Sequence, residues 1–485
     1  MSKRLIALCS LFVFVFVGII GRFAYISFAK TYQVDESYNS YTLNIGTLNT
    51  NIYDRLGRKI NNNSKQYVAV IRPNEKALSE LDKLFDDNEI REITTELSKG
   101  YPVIRNVDRK VKTQYIQIFE KIDSDCDVAY HLMSKQTGGL ESYVSEEIGN
   151  LSVNFTVDAM GRLLAGDEGS VINNNYDSTD GIIISIDRDI QLIAEEAANS
   201  INKGAVVVLD AESSRILASV SKGDDYLNRA ISPYAVGSVF KLVVCACAIE
   251  NGVNPFYNCT SSIKVNDTTF NCQNNHSHGI QDMKKALANS CNCYFVNLAL
   301  MLGGEKLLKT AREFGFGNEF SLYKNWNISA GFFPTLETLK SKGQLALVGF
   351  GQGQLTDSPL HFASLVACIA NGGNYYYPTL EINNKEENRV ISEKTSNVIK
   401  SYMKYVVTNG TGSSANYNDD TAGKTATAQS GKYSNGSEIL NTWFAGFYPY
   451  DNPQFAIVVM CENGTSGSQD CGPVFRTIVE NIDKM

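Results

Sequence analysis

The residues best suited to covalent chemistry are a serine and a lysine three positions apart. Ser238 and Lys241 lie in Gly237-Ser238-Val239-Phe240-Lys241, which opens an apolar helical stretch. On a helix this spacing places the two side chains on one face, and a serine at a helix N-terminus lies near unpaired N–H groups. The lysine can accept the serine proton if burial lowers the pKa of its amine. The alternative is a capping serine beside a solvated lysine, a pairing that arises by chance in many sequences.

A second polar cluster, Ser290-Cys291-Asn292, interrupts an apolar helical region between residues 283 and 302. Polar side chains at a break between helices can point into a cleft, whereas a helix cap is the simpler interpretation. The cluster alone does not distinguish a functional site from a structural one.

A third cluster, Lys424-Thr425-Ala426-Thr427, follows Gly423 and precedes further strand-like sequence. In an extended segment Thr425 and Thr427 lie on one face, and Lys424 and Ala426 lie on the other. Two hydroxyls beside a lysine suit an anionic carboxylate ligand. A threonine-rich edge strand that binds nothing is the alternative interpretation.

The order and spacing of the three clusters are more specific than any one of them. Ser290 lies 52 residues after Ser238, and Lys424 lies 134 residues after Ser290. This series resembles the Ser-x-x-Lys, Ser-x-Asn and Lys-Thr-Gly motifs of penicillin-binding proteins and serine β-lactamases. Shorter matches along most of the chain resemble the class B penicillin-binding proteins, in particular their shorter, elongation- or growth-associated members. These matches are Ile52-Tyr53-Asp54-Arg55-Leu56-Gly57, Gly139-Leu140-Glu141, Asp187 with Gln191, Asn228-Arg229-Ala230, Ala286-Leu287, Gly351-Gln352-Gly353, Asn371-Gly372-Gly373, Gly410-Thr411-Gly412, Trp443-Phe444-Ala445-Gly446-Phe447 and Glu462-Asn463-Gly464.

The resemblance implies a serine-type D,D-transpeptidase that cross-links peptidoglycan stem peptides and is covalently inhibited by penicillin and other β-lactams. Ser238 then attacks the penultimate D-Ala carbonyl to form an acyl-enzyme, with Lys241 as general base. Ser290 relays a proton toward the leaving amine, and Lys424 assists it.

The same resemblance implies how substrate is bound. Asn292 hydrogen-bonds the donor peptide, and Thr425 and Thr427 bind the terminal carboxylate. The backbone N–H groups of Ser238 and Thr427 form the oxyanion hole, in which each donor is worth about 3–4 kcal/mol. No cofactor and no metal are implied. The expected partner is a SEDS-type membrane glycosyltransferase, because class B members lack a glycan-polymerising domain.

Two positions depart from the family pattern. Ala426 stands where the third motif usually has glycine, and strand alternation points its methyl group to the face of Lys424. Val236 stands where the family usually has proline before Gly237, which removes a rigid residue but no reacting group. We expect altered packing or β-lactam affinity and retained activity.

Other functions with the same motifs stay open. A β-lactamase, a carboxypeptidase or a β-lactam sensor would carry all three, but these are usually without an anchor and a long extra module. A catalytically silent scaffold of a wall-synthesis complex is the remaining alternative, and the intact set of Ser238, Lys241, Ser290 and Lys424 argues against it. The sequence does not assign the chain to elongation, division or sporulation.

The elements that must position these residues can be read from the hydrophobic pattern. An amphipathic helix is expected from Asp187 to Ile201, followed by strands at residues 204–210 and 215–220. Two more strands are expected at 443–448 and 455–461, followed by a helix from 473 to about 483, while residues 235–405 are mostly helical. We therefore predict an α+β fold of the penicillin-binding and serine β-lactamase type, with a five-stranded antiparallel sheet flanked by helices.

The N-terminus predicts a membrane anchor. Residues 5–21 are apolar or small and follow Lys3 and Arg4, and seventeen helical residues span about 26 Å, close to the thickness of a bilayer core. The basic residues place the N-terminus in the cytoplasm and the catalytic domain outside; a cleaved signal peptide is the alternative. We expect a tip and transmembrane anchor at 1–30, a β-rich pedestal or dimerisation-like module at 31–178 and a transpeptidase domain at 179–485.

Charge and cysteine content limit the remaining possibilities. The net charge of −8 gives no reason to expect nucleic acid as a partner. Eleven cysteines leave at least one thiol unpaired, and disulfides between Cys259 and Cys272 or between Cys461 and Cys471 remain open. With His276 and His278, the first pair imitates a metal site, but no Cys-x-x-Cys pair recurs at zinc spacing, so we expect none.

Overall fold

The computed structural model of the chain describes residues 3–29, 40–125, 128–144, 146–158, 160–164, 166–383, 388–434 and 436–485. They form two compact units. The first comprises residues up to 48 with 65–122 and 149–178, and the second comprises 49–64, 123–148 and 179–485. The expected boundary after residue 30 lies outside the described residues, and the division at residue 178 remains a prediction.

Within this described part, the helices are α1 Lys3–Ala29, α2 Glu75–Leu78, α3 Asp87–Leu97, α4 Tyr130–Met133, α5 Glu141–Val144, α6 Arg188–Ala197, α7 Lys241–Glu250, α8 Met283–Ala288, α9 Asn292–Leu302, α10 Gly304–Glu313, α11 Leu336–Leu339, α12 Lys342–Gly349, α13 Pro359–Ala370, α14 Glu393–Asn409 and α15 Gly472–Ile482.

The strands are β1 Ser40–Asn49, β2 Asn51–Tyr53, β3 Asn62–Ile71, β4 Val103–Val107, β5 Gln117–Asp125, β6 Glu147–Thr156, β7 Ser170–Asn174, β8 Gly181–Ile183, β9 Gly204–Asp210, β10 Ile216–Lys222, β11 Tyr234–Ala235, β12 Tyr257–Cys259, β13 Ser262–Val265, β14 Thr268–Asn271, β15 Gly279–Gln281, β16 Glu319–Tyr323, β17 Trp326–Ser329, β18 Thr356–Asp357, β19 Asn374–Tyr375, β20 Asn388–Arg389, β21 Ala422–Ser434, β22 Ser437–Tyr448 and β23 Phe455–Glu462.

Two small sheets organise the first unit, one in the order β1-β6-β7 and one in the order β4-β3-β5. Helix α3 begins at a capping box, in which the Asp86 carboxylate accepts from the Glu89 N–H while the Glu89 side chain accepts from the Asp86 N–H. Ile93 and Leu97 of α3 are buried against Ala69 and Ile71 of β3 in one apolar cluster.

A five-stranded antiparallel sheet in the order β10-β9-β23-β22-β21 forms the centre of the second unit. Alternate residues of β9 enter different cores, because successive side chains of a strand point to opposite faces. Val207 joins the cluster that contains α7 and α13, whereas Val206 and Val208 join the cluster that contains α6 and α15. The sheet is therefore covered by helices on both faces, as the predicted fold class requires.

Several short sequence matches meet at the start of α6. Asp187 caps this helix by accepting from backbone N–H groups, and its carboxylate also pairs with Arg55 at 2.7 Å. Arg58 pairs with Asp54 at 2.7 Å and with Asp187 at 3.4 Å, so the two arginines hold the segment 51–58 against the start of α6. The Gln191 side chain donates to the Ser219 carbonyl and accepts from the Ser219 N–H, which joins α6 to β10.

A second network precedes Ser238 in the chain. Arg229 is only 2% exposed and pairs with Asp225 and Glu462, each at 2.7 Å. The Tyr234 hydroxyl also donates to Glu462, at 2.7 Å. Because Glu462 ends β23, these bonds attach the segment leading to Ser238 to the central sheet.

Helix α1 exposes large apolar side chains from Leu11 to Tyr25. Among the residues that the structure describes, no helix has both the length and the apolar character required to cross a membrane.

We predict that Phe475→Ala destabilises the second unit by about 3–5 kcal/mol, because it leaves a cavity in a closed core. Phe475 is 0% exposed, and its ring lies 4.6 Å from that of Phe444. Urea unfolding followed by tryptophan fluorescence reports on this unit, since it contains both tryptophans, Trp326 and Trp443.

The matched control for this prediction is Phe332→Ala, at a phenylalanine that is 47% exposed. It should change the free energy of unfolding by no more than about 0.5 kcal/mol. Equal effects of the two substitutions would contradict the assigned core.

Candidate active site

Ser238 lies in the 3-10 turn Gly237–Phe240, directly before α7. Gly237 has φ +60°, and a Cβ there would lie 2.9 Å from the Cβ of Ala428, so the close approach of this turn to β21 requires glycine. The Lys241 amine donates a hydrogen bond to Ser238 Oγ at 3.0 Å. The turn therefore brings together the serine and lysine that the spacing predicted.

The Lys241 amine is completely buried. It donates to Ser290 O at 2.8 Å, to Ser290 Oγ at 3.1 Å and to Asn292 Oδ1 at 2.8 Å, in addition to Ser238. The Lys241 amine thus has four neighbouring oxygens, whereas a charged amine has only three N–H donors. A neutral amine carries a lone pair that can accept a hydrogen bond from one of the hydroxyls. Burial lowers the pKa of Lys241 to about 8, so a usable fraction of the amine is neutral near neutral pH.

Ser290 lies between two lysine amines. Its backbone has φ +52° at the break between α8 and α9, and its Oγ also accepts from the Lys424 amine at 3.2 Å. Lys424 is fully buried in β21 and additionally donates to the Thr425 carbonyl at 2.7 Å. Burial, and secondarily the charge of Lys241, lower the pKa of Lys424 well below its usual value.

Asn292 is the first residue of α9 and lines the same cleft. Its side-chain oxygen accepts from Lys241, and its amide group donates to the Asn271 carbonyl at 3.0 Å. The Asn292 side chain is thereby held between Lys241 and strand β14.

The two threonines of the third cluster also lie at the cleft. The Thr425 hydroxyl is 2.7 Å from that of Thr411, and Thr427 lines the cavity near Ser238. Thr411 belongs to the Gly410-Thr411-Gly412 match, which predicts no role for its side chain. Its hydroxyl adds a third side-chain donor to the group expected to bind a carboxylate.

The backbones of the two expected oxyanion donors are neighbours. A Cβ built on Gly237 would lie 3.3 Å from the backbone nitrogen of Ala428, the residue after Thr427. The N–H groups of Ser238 and Thr427 are therefore carried by segments in direct contact.

The cleft has a volume of about 630 Å³ and reaches beyond the three motifs. One wall is the strand Thr269-Phe270-Asn271, and further lining residues are Gln352 and the segment 466–468. The Gly351-Gln352-Gly353 match was the only signal for any of these. The hairpin of β13 and β14 carried no recognisable motif and was missed.

Both departures from the family pattern are accommodated by packing. Ala426 is 3% exposed and lies opposite Trp443 on the neighbouring strand β22. Both residues belong to the core cluster that contains α7 and α13. Val236 is fully buried and has φ −86°, near the value of about −65° that proline would fix. The turn keeps this conformation without proline.

The cysteine pairs considered in the sequence are close but unbonded. The Sγ atoms of Cys259 and Cys272 are 3.6 Å apart, as are those of Cys461 and Cys471. Each is a free, buried thiol in this structure.

Comparison with known proteins agrees with this geometry. The sequence model of the family described as "Penicillin binding protein transpeptidase domain" matches residues 204–480. Stage V sporulation protein D of Bacillus subtilis is 31% identical over 389 residues, which cover 71% of this chain and 59% of that protein. The peptidoglycan D,D-transpeptidase MrdA of Acinetobacter baumannii is 27% identical over 360 residues, covering 61% of this chain and 53% of MrdA. The matched regions thus span little more than half the length of these curated relatives.

Solved structures share the fold at lower identity. The complex of penicillin-binding protein PBP2 with MreC from Helicobacter pylori matches with a TM-score of 0.66 at 21% identity, covering 92% of this chain and 98% of that one. A chain of a peptidoglycan synthase complex that coordinates polymerization and crosslinking matches with a TM-score of 0.68 at 22% identity, covering 99% of this chain and 98% of that one.

We predict that the rate at which a β-lactam acylates Ser238 rises with pH and levels off above about pH 8. Only the neutral Lys241 amine accepts the serine proton, so the rate should fall about tenfold per pH unit below that pKa. Stopped-flow measurement of acylation across this range tests it.

Lys241→Arg is the control for this pH profile, because a guanidinium group keeps its charge and its proton throughout the range. That variant should acylate slowly at every pH. A wild-type rate that does not change across pH 8 would contradict the role of Lys241.

Proposed function

This chain belongs to the penicillin-binding protein transpeptidase family as a class B member, and we propose that it is a D,D-transpeptidase that cross-links peptidoglycan stem peptides. One observation carries the proposal: the Ser238 hydroxyl lies 3.0 Å from a fully buried lysine amine that also contacts the other cleft motif, Ser290 and Asn292.

The first step is acylation. Ser238 Oγ attacks the penultimate D-Ala carbonyl of a stem peptide, and the neutral Lys241 amine takes the hydroxyl proton. Supporting this assignment, the lysine is desolvated and is held by bonds to fixed oxygens, so it needs little reorganisation when the serine reacts. The carbonyl oxygen becomes an oxyanion, for which the adjacent Ser238 and Thr427 backbone segments supply the N–H donors.

Collapse of the intermediate breaks the bond to the terminal D-Ala. Its leaving nitrogen needs a proton, which Ser290 Oγ delivers while it is replenished from Lys241 or Lys424. The contacts of Ser290 Oγ with both amines, at 3.1 and 3.2 Å, support this relay. The free D-Ala carries away the transferred proton, and Ser238 remains as an ester.

Recognition of the donor peptide depends on its terminal carboxylate. Thr425 and Thr427 provide hydroxyl donors for it, and Thr411 lies 2.7 Å from Thr425 in position to contribute. Asn292 binds the donor backbone from the opposite wall of the cleft.

The second step transfers the acyl group to another stem peptide. An amine of that peptide attacks the Ser238 ester, its proton passes to the lysine-serine network, and Ser238 leaves as a hydroxyl. Penicillin and other β-lactams enter the same first step, but their ring-opened acyl group stays attached to the enzyme and blocks the second.

We further propose that the segment 1–30 anchors the enzyme in the cell membrane, with the N-terminus cytoplasmic and the catalytic domain outside. The run of apolar or small residues at 5–21, which follows Lys3 and Arg4, supports this arrangement. A SEDS-type membrane glycosyltransferase is the proposed polymerising partner. This partner is supported by the fold that the present chain shares with a chain of a peptidoglycan synthase complex that coordinates polymerization and crosslinking.

We predict that fluorescent penicillin forms a stable covalent adduct with the full-length protein and that Ser238→Ala abolishes it. The adduct should map to the peptide that contains Ser238 in mass spectrometry. In a cross-linking assay with nascent glycan as donor and acceptor, wild type should form dimeric stem peptides and Ser238→Ala should form none.

The matched control in this assay is Ser232→Ala, a serine of the same domain whose hydroxyl bonds the Asn228 carbonyl away from the cleft. It should retain both adduct and cross-linking. Rapid release of hydrolysed penicillin would indicate a β-lactamase, and absence of an adduct on folded wild-type protein would indicate a scaffold. Either result contradicts the proposal.

A further inference from the structure

One wall of the cleft is a segment that has no part in the mechanism described so far. Residues 466–468 line the cleft together with Thr411, Thr425 and Thr427, which carry the three hydroxyls assigned to the donor carboxylate. The segment follows β23 and leads into α15. Its conformation therefore affects the subsite in which the carboxylate is held.

This segment packs directly on the strand that carries two of the three hydroxyls. A Cβ built on Gly467 would lie 2.7 Å from the Ala426 carbonyl oxygen and 2.2 Å from the Trp443 carbonyl oxygen. Only glycine allows so close an approach of two backbones. Because Ala426 stands between Thr425 and Thr427, the segment contacts the backbone that separates the two threonines.

The same segment contacts the loop that carries the third hydroxyl. The Ser414 hydroxyl donates to the Ser468 carbonyl at 2.6 Å, and the Ser414 and Ser468 hydroxyls are 3.2 Å apart. Ser414 follows Thr411 closely in the chain and lies in the turn Ser413–Ala415. The segment thus joins the two parts of the chain that present hydroxyls to the cleft.

A single carboxylate fixes this segment. The Oδ2 atom of Asp470 accepts from the N–H groups of Thr465 and Ser466, at 2.7 and 2.9 Å. It also accepts from the Thr442 hydroxyl at 2.9 Å. Thr442 is fully buried in β22 and lies opposite Thr427 in the strand pair. Asp470 therefore attaches the segment to the central sheet beside Thr427.

Asp470 is placed to act through the segment and not by contact with the donor. It does not line the cleft, and a second negative charge at the bound carboxylate would weaken binding by like-charge repulsion. A carboxylate nevertheless suits this position, because charge-assisted hydrogen bonds are stronger than neutral ones and one oxygen accepts three of them here. The segment that Asp470 holds is thus the reason for a charge at this place.

We propose that Asp470 is a positioning residue that sets the preference of the cleft for donors with a free terminal carboxylate. By fixing the segment 465–468, it keeps the three threonine hydroxyls at the spacing that a carboxylate requires. Without these bonds the segment moves away from Ala426, which loosens the carboxylate subsite while the contact between Lys241 and Ser238 persists. This role rests on the proposed function, because it concerns the recognition step of the same reaction.

The test compares benzylpenicillin with its methyl ester, which differ only in whether the carboxylate is free. The second-order rate of Ser238 acylation is measured for each compound on the full-length protein in detergent, and the rate with benzylpenicillin divided by the rate with the ester reports carboxylate recognition. Asp470→Ala should lower this ratio about tenfold, because three hydrogen bonds to a charged group are lost. Asp470→Asn should stay within about threefold of the wild-type ratio, since its amide oxygen can accept in place of Oδ2.

A second variant tests the same connection from the strand. Thr442→Val removes one donor to Asp470 and leaves the carboxylate in place, so the ratio should fall less than in Asp470→Ala. Adding Thr442→Val to Asp470→Ala should lower the ratio no further, because both residues act through one set of bonds.

The matched control is Asp210→Ala. The Asp210 carboxylate also fixes a turn, by accepting from the Ser213 N–H at 2.8 Å and from the Ser213 hydroxyl at 2.6 Å. Asp210 pairs with Phe455, at the end of the sheet opposite to Thr442. This variant should keep the wild-type ratio.

Near-UV circular dichroism establishes that each variant is folded before its rates are compared. Equal falls of both rates in folded Asp470→Ala would overturn the role in recognition, and so would an equal loss of the ratio in Asp210→Ala or in Asp470→Asn. If Asp470→Ala does not fold, Thr442→Val decides the question, and an unchanged ratio in that variant would overturn the role. Absence of acylation of wild-type protein by benzylpenicillin would instead count against the proposed function.

Discussion

Lys241 and Lys424 are both fully buried, and their amines both donate to the hydroxyl of Ser290. Removing two amines from water is costly when they are charged, and two like charges close together add to that cost. The fold therefore favours states in which at least one amine is neutral. The proposed acyl transfer needs a neutral amine beside Ser238. Burial of the two amines therefore both costs free energy of folding and favours the protonation state that this chemistry requires.

Three separate parts of the chain maintain this arrangement. Helix α7 supplies Lys241, edge strand β21 supplies Lys424, and the break between α8 and α9 supplies Ser290 with its left-handed backbone. Close backbone contacts hold them in place. A Cβ on Gly351 would lie 1.8 Å from the Gly237 carbonyl oxygen, and a Cβ on Gly237 would meet β21. The sheet behind them is covered by helices on both faces, so β21 is fixed against a rigid core.

Local sequence patterns predicted strands β9, β22 and β23 of the central sheet, because these strands contain buried apolar runs. The helix α6 that covers one face was predicted from its amphipathic period. The candidate catalytic residues followed from order and spacing in a resemblance, not from any single motif. Convergence over long range could not be predicted in this way. Thr411 reaches Thr425 only through the fold, and Cys259 meets Cys291 only because a motif-free hairpin folds back onto the loop before α9.

The most direct test of the shared-amine arrangement is the titration of the lysine amines themselves, followed by NMR of protein with isotope-labelled lysine. An amine that titrates near pH 8 and is missing from Lys241→Arg, together with a Lys424 amine whose pKa rises when Lys241 is replaced by Met, would agree with the account. Lys241 and Lys424 amines that both titrate near the ordinary value of about 10.4 would contradict it, because neither would then be a base available to Ser238 near neutral pH.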